Sequence, residues 1–173
     1  MATAAGTGVP AQSACAPISP DDIAALFERH VNTVYRLCYS YLGSHQDAED
    51  ATQSVFMKLI EKPRIFNDVG HEKAWLIVAA SNLCKDILKS ATRTRTTALP
   101  DDASRIPDEQ ASAEPSAVLQ AVLGLPSRYK DCVYMHYYEG YKTDEIAAVL
   151  GKPPSTVRND LRDARNLLKV ALA

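Results

Sequence analysis

Residues 143–169, TDEIAAVLGKPPSTVRNDLRDARNLLK, hold two helical periodicities broken by Gly-Lys-Pro-Pro, a pattern with few solutions other than a helix-turn-helix. With Val157 at zero on a wheel advancing about 100° per residue, Leu161, Ala164 and Leu168 fall within roughly 40° of it and form an apolar stripe. Arg165, Arg158, Lys169 and Arg162 fall at roughly 80–140°, so a basic ridge runs beside that stripe. A helix seated in a major groove needs both: an apolar side to hold it to its partner, and Arg or Lys to reach bases and phosphates. The preceding helix is predicted to begin at Thr143 as N-cap, with Asp144 and Glu145 at the positive end of its dipole. Gly151 can take the left-handed conformation that ends it. Pro153 and Pro154 forbid continuation and favour a new start near Ser155. Asp160 and Asp163 oppose binding to phosphates. At roughly 300° and 240° on the wheel they lie across the helix from the basic ridge, with Asp160 directed to the partner helix or the domain edge.

The rest of the chain divides by periodicity. Residues 1–18, rich in Ala, Ser, Thr, Gly and Pro, have none and are expected to be disordered. Ser19 caps a first helix, with Pro20 at its first position and Asp22 three residues after the cap; its apolar stripe, from Ile23 to Leu42, stops at Gly43. Ser44 caps a second helix, with Asp47 three residues on, running to Glu61 before Pro63. A third is expected from Glu72 to Ser90, with Trp75, Leu76, Ala79, Leu83 and Ile87 on its core face. Residues 91–114 show no apolar period and read as a flexible linker; 115–173 form a second helical domain. No strand signal occurs, so the expected fold is all-α: a tail (1–18), an N-terminal domain (19–90), a linker and a C-terminal helix-turn-helix domain.

Charge limits how such a protein can hold DNA. Residues 21–90 carry 8 Lys and Arg against 10 Asp and Glu; residues 116–173 carry 8 against 6, so only the last segment is basic. A chain that gripped DNA alone by counterion release would be more positive, so either binding is weak or a larger partner supplies most of the contacts. No apolar run is long enough for a membrane span and no signal-peptide pattern opens the chain; a cytoplasmic protein without membrane insertion is expected. Cys15, Cys38, Cys84 and Cys132 are far apart and form no metal or disulfide pattern, and three of them sit on apolar stripes. His30, His45, His71 and His136 have neither ligand spacing nor a neighbouring nucleophile, and no Gly-rich phosphate loop occurs. The acidic group Asp47, Glu49 and Asp50 lies in the first turns of a helix, where its dipole already favours carboxylates. No catalytic residue, metal or cofactor is expected.

Three segments then carry a resemblance: SHQDAEDATQSVFMKLIEK, KAWLIVAASNLCKDILK and LPSRYKDCVYMHYYEGYKTDEIAAVLGKPPSTVRNDLRDARNLLK occur in the order seen in extracytoplasmic-function sigma factors, the promoter-specificity subunits of bacterial RNA polymerase. The chain resembles that family over residues 22–170. The resemblance implies that Asp50, Gln53 and Phe56, with Asp47 beside them, dock on the clamp of core polymerase. It implies that Trp75, Asn82, Asp86 and Lys89 meet the −10 promoter element, and that the loop from Pro63 to Glu72, with Phe66 as its aromatic, captures a base extruded from the non-template strand. It implies that Ser155, Thr156, Arg158, Asn159, Arg162 and Arg165 face the −35 element. Core polymerase and promoter DNA are the implied partners, and an anti-sigma factor is a further one that the family allows. Two departures stand out. Where the family has a dense basic run after Ile87 this chain has only Lys89, Arg93 and Arg95, and Asp160 and Asp163 replace positions that are often basic, so strand separation is expected to be weak or promoter-selective and the −35 contact narrower. A stand-alone helix-turn-helix regulator and a helical interaction protein with a degenerate DNA face remain alternatives.

Overall fold

The computed structural model describes residues 19–97 and 116–173, and every element in them is helical. The tail expected at 1–18 and most of the expected linker lie outside the described residues. Helix α1, Pro20–Leu42, opens on a complete capping box: the Asp22 amide donates to Ser19 Oγ at 3.2 Å and the Ser19 amide to Asp22 Oδ2 at 3.1 Å. It ends where Gly43 turns left-handed at φ 68°. Helix α2, His45–Glu61, starts one residue later on Ser44, whose Oγ accepts from the Asp47 amide at 3.3 Å. Helix α3 differs from expectation at both ends, spanning Val69–Thr97. Asp68 acts as its cap, with Oδ1 accepting from the His71 amide at 2.7 Å. Helix α3 runs on beyond Ser90, and the Thr92 and Thr94 hydroxyls are accommodated there by donating to the Leu88 and Ser90 carbonyls at 2.9 and 3.0 Å.

Leu26, Val34, Leu37 and Cys38 of α1 pack with Ala48, Val55 and Leu59 of α2 and Leu76, Ile77, Ala80 and Cys84 of α3. Glu72 ties the start of α3 to α1 by accepting from Arg29 Nη2 at 2.9 Å and lying 3.1 Å from His30 Nε2. The second helical unit comprises α4 (Ala117–Leu123), α5 (Ser127–Val133), a π-helical turn (Tyr134–Tyr138), α6 (Thr143–Leu150) and α7 (Pro154–Leu172). Cys132, Met135, Ile146, Val157, Leu161 and Ala164 fill its centre. The N-cap of α6 is Lys142 rather than Thr143: the Lys142 amide donates to the Glu145 carboxylate at 2.7 Å. Helices α4, α5 and α6 then rest against α1 and α3.

Where the two units meet, Lys130 is a buried cation, 4% exposed. Its Nζ donates to the Ser40 carbonyl and, at 2.9 Å, to the Leu123 carbonyl, at the C-terminal ends of α1 and α4, where both helix dipoles favour positive charge. Burial still wins and lowers the Lys130 ammonium from its ordinary value to about 8. Because the unfolded chain then binds more protons than the folded one above pH 8, stability rises with pH from about 8 until the tyrosines intervene. Burial raises Tyr41, Tyr134 and Tyr141 above the ordinary phenol value of 10.0, and they remove stability as pH climbs through it. The Cys84 and Cys132 thiols, raised above 9.0 by the Cys38 contact of Cys84 and by burial, oppose that rise from about pH 9, so the informative quantity in thermal melts is the difference between the native chain and Lys130→Met. That difference is expected to grow in favour of the native chain by an amount on the order of 2 kcal/mol between pH 7 and 10; a constant difference would show that Lys130 contributes nothing to the pH dependence.

Candidate functional site

The helix-turn-helix is built on the two breaks visible in its sequence. Gly151 ends α6 at φ 62°, and Pro153 and Pro154 cap and open α7. Val157, Leu161 and Ala164 are buried and Leu168 half-buried, as the wheel requires. Ser155, Arg158, Asn159, Arg162 and Arg165 stand in solvent, with Thr156 half-buried beside them. Arg165 also lines an apolar groove with Val118, Val122, Tyr137 and Leu172, so it flanks the ridge instead of leading it. Asp160 turns inward and is 2% exposed; its oxygens accept from Arg128 Nη2 at 2.9 Å and Lys152 Nζ at 3.3 Å. Asp163 stays half-exposed and accepts from Arg162 Nε at 3.3 Å, a weak pair in water that partly neutralises the ridge at that one position.

On α3, Asn82, Asp86 and Lys89 are exposed at spacings that share one face, and Trp75 lies half-buried two turns earlier on the same side. The irregular segment before α3 is shorter than expected, because Val69–Glu72 are helical. Phe66 is half-buried and packs its ring 5.8 Å from Trp75 and edge-on 5.4 Å from His71. Arg64 sits over the other part of this cluster, its guanidinium 5.1 Å from the Trp75 ring centre. Sequence reasoning passed over Arg64; its place three residues after the end of α2 gave no periodic signal. Beside the cluster, His71, Ala74, Trp75, Val78 and Val149 of α6 line a shallow cleft.

Helix α2 exposes Asp47, Asp50 and Gln53. Phe56 corrects the expectation: it is 4% exposed and packs edge-on against Phe27 with ring centres 4.8 Å apart, so it belongs to the core. Its neighbours Met57 and Ile60 are the exposed apolar residues on this helix, 52% and 48% accessible, and both adjoin Gln53 by helical spacing. An off-core position on the wheel was the signal that could have found them. The exposed side of α2 thus mixes carboxylate, amide and apolar groups, which suits a protein partner better than DNA. Among the described residues no three His, Cys, Asp or Glu side chains converge as a metal site would require, and no helix is long and apolar enough to cross a membrane.

An exposed basic ridge on a helix-turn-helix, joined to a helical unit with one exposed face of carboxylate, amide and apolar groups and a second exposed polar face, describes a two-part helical protein of the DNA-binding class. Residues 26–94 match the family described as sigma-70 region 2, and residues 116–168 match sigma-70 region 4. The chain is 34% identical over 156 residues to the ECF RNA polymerase sigma factor SigE of Mycolicibacterium smegmatis, covering 86% of this chain and 60% of that protein. It is 28% identical to the ECF RNA polymerase sigma factor SigL of Mycobacterium tuberculosis, covering 86% of this chain and 87% of that one. In fold it is similar to the sigma factor RpoE of Bartonella quintana, solved with the anti-sigma factor NepR (TM-score 0.65, 18% identity, 88% of this chain and 97% of that one). It is similar also to CnrH, solved with the cytosolic domain of CnrY (TM-score 0.62, 20% identity, 89% of each chain). The chain belongs to the extracytoplasmic-function sigma factors.

Proposed function

We propose that this protein binds core RNA polymerase in the cytoplasm, directs it to a restricted set of promoters and initiates transcription there, without catalytic chemistry of its own. The observation that carries the reading is the coexistence, in one chain of this family, of two exposed faces with different chemistry: the Asp47, Asp50 and Gln53 side of α2 and the Arg158 and Arg162 side of α7. The first fits the polymerase clamp and the second the −35 duplex. Asn82, Asp86 and Lys89 face the −10 element, with Trp75, Phe66 and Arg64 forming a stacking platform where an extruded base gains contact that compensates lost stacking in DNA. Phe56 supports α2 from inside and touches no partner. An anti-sigma factor, of the kind found with the structural relatives, would act by covering the α2 face.

The test is transcription of genomic fragments by bacterial core polymerase with and without the purified protein, mapping transcript 5′ ends. New starts that share two upstream elements at a fixed spacing are expected. Asp50→Ala combined with Gln53→Ala is expected to weaken association with core polymerase by about tenfold or more, as two contacts at about 1 kcal/mol each imply. No new starts together with no binding to the core enzyme would reject the reading and leave the stand-alone regulator.

A further inference from the structure

Helix α3 is packed unevenly along its length. None of the residues from Val69 to Trp75 is buried, and apolar closure of the helix begins at Leu76 and Ile77, both 0% exposed. Glu72 sits between the two regions. With Glu72 at zero on a wheel advancing about 100° per residue, Leu76 and Ala80 of the core fall at roughly 40° and 80° to one side, and Trp75 and His71 at roughly 60° and 100° to the other. Its side chain is 15% exposed and meets α1: Oε1 and Oε2 accept from Arg29 Nη2 at 3.1 and 2.9 Å, and Oε2 lies 3.1 Å from His30 Nε2. A carboxylate only accepts, so that ring nitrogen carries the hydrogen.

A side chain placed at position 30 for stability alone would be apolar. His30 is 2% exposed, and its Nδ1 is enclosed with no hydrogen-bond partner among the described residues, so the contact with Glu72 leaves a buried polar atom unsatisfied. Replacing such a buried polar pair by apolar groups is often neutral or stabilising. What the pair supplies is orientation, and the rings before and after Glu72 depend on it through a short series of contacts. Asp68 Oδ1 accepts from the His71 amide at 2.7 Å, and the Asn67 amide donates to His71 Nδ1 at 3.3 Å. The His71 ring meets Phe66 edge-on, Phe66 lies against Trp75, and Arg64 covers Trp75. Residues 64–68 are thus fastened to the first turn of α3, and Glu72 fastens that turn to α1.

We propose that Arg29, His30 and Glu72 form a clamp that fixes the frame of the extruded-base platform, with Glu72 as its positioning residue. Its role rests on the function proposed above for Trp75, Phe66 and Arg64. The clamp divides promoter use into two steps with different requirements. Finding the promoter elements does not need it. Opening the −10 element does, because stacking offsets strand separation only where the rings stand at the right distance and angle from the extruded base.

The experiment uses the full chain with bacterial core polymerase on a promoter found by the 5′-end mapping above, and reads opening by permanganate reactivity of unpaired thymines. Glu72→Ala is expected to lower opening of duplex DNA about tenfold, the effect of about one lost base–aromatic stack, with binding to core polymerase unchanged. On a template already mismatched across the −10 element, transcript yield at saturating protein is expected to return to within about twofold of native, because no strand separation remains to be offset. Phe66→Ala places the effect: the Glu72→Ala, Phe66→Ala double variant is expected to lose no more than Phe66→Ala alone. Arg29→Ala, at a side chain 42% exposed, is expected to lose about threefold in the same pattern, and keeps the test decisive where Glu72→Ala fails to fold. Native levels of opening in Glu72→Ala and Arg29→Ala reject the clamp. An equal loss on the mismatched template, or losses that add to that of Phe66→Ala, rejects it too, since either shows damage that does not pass through the platform. A native chain that starts no transcripts anywhere rejects the sigma reading itself.

Discussion

Replacing both Arg158 and Arg162 with Ala is expected to reduce promoter-directed transcription by about 10²–10³-fold, from two contacts of about 1–3 kcal/mol each. Binding to core polymerase is expected to stay unchanged, because it is proposed to use α2, where Asp47, Asp50 and Gln53 are exposed on a different helical unit. Folding is expected to persist as well. Both arginines are solvent-exposed, and Arg162 gives up only a 3.3 Å pair with Asp163. Single substitutions to Lys separate the two kinds of contact. A residue that touches phosphate tolerates Lys and loses little, whereas one that makes a bidentate contact to guanine does not, since the planar fork is lost. Run-off transcripts, salt titration and a thermal melt read these outcomes together. Native transcript levels in the double variant would show that α7 does not read DNA and would favour an interaction protein with a degenerate DNA face.

Much of the fold was legible because helix ends are chemically marked. Ser19, Ser44, Gly43, Gly151, Pro153 and Pro154 each sit where a cap, a left-handed residue or a first-turn proline is needed, and each marks a real boundary. The ends of α3 were misjudged for a related reason. Composition around Ser90 and Thr92 resembles a loop, but threonine hydroxyls that turn back onto carbonyls four residues earlier are tolerated in a helix, and Gly70 two residues after the cap at Asp68 masks a helix start. The exposed sites could be read as well as the periodicity allowed. The wheel put Arg158 and Arg162 outside and Asp160 inside, as found.

What the sequence could not show was packing between distant segments. The wheel sets Phe56 with Thr52, Val55 and Leu59 and leaves Met57 off that side, but the ring contact of Phe56 with Phe27 of α1 has no mark within α2 itself. The seam between the two helical units was hidden more deeply. Nothing in the local sequence marks Lys130, Asp131 and Tyr134 as buried, and their partners lie 90 to 101 residues away at Ser40, Tyr41 and Thr33. The π-helical turn compounds this, since its wider bond from the Glu139 amide to the Tyr134 carbonyl, 3.1 Å, shifts the following residues out of the α-helical register that a wheel assumes.

Substitution of Asp160 by Arg is expected to unfold the C-terminal helical unit, although family resemblance makes a basic residue there look like a route to tighter DNA binding. The carboxylate is 2% exposed and lies against two cations, Arg128 at 2.9 Å and Lys152 at 3.3 Å. A third cation in that space meets both at close range with no anion to balance them, at a cost of about 3–5 kcal/mol, comparable with the whole stability of a unit this small. Asp160→Ala is milder, on the order of 1–2 kcal/mol, because Arg128 and Lys152 are partly exposed and return to water. Asp163→Lys separates the electrostatic question from the structural one. Its side chain is 40% exposed beside Arg162, so the reversal leaves the fold intact, frees Arg162 and adds charge next to the proposed DNA face. Promoter binding in that variant is expected to tighten severalfold at low salt and to lose the gain as salt rises, with a slope steeper by about one or two phosphate equivalents. Far-ultraviolet melts and salt-dependent binding distinguish the two acids. If Asp160→Arg melts like the native chain, the buried carboxylate is not the anchor of the helix-turn-helix, and if Asp163→Lys leaves salt dependence unchanged, α7 faces something other than a phosphate backbone.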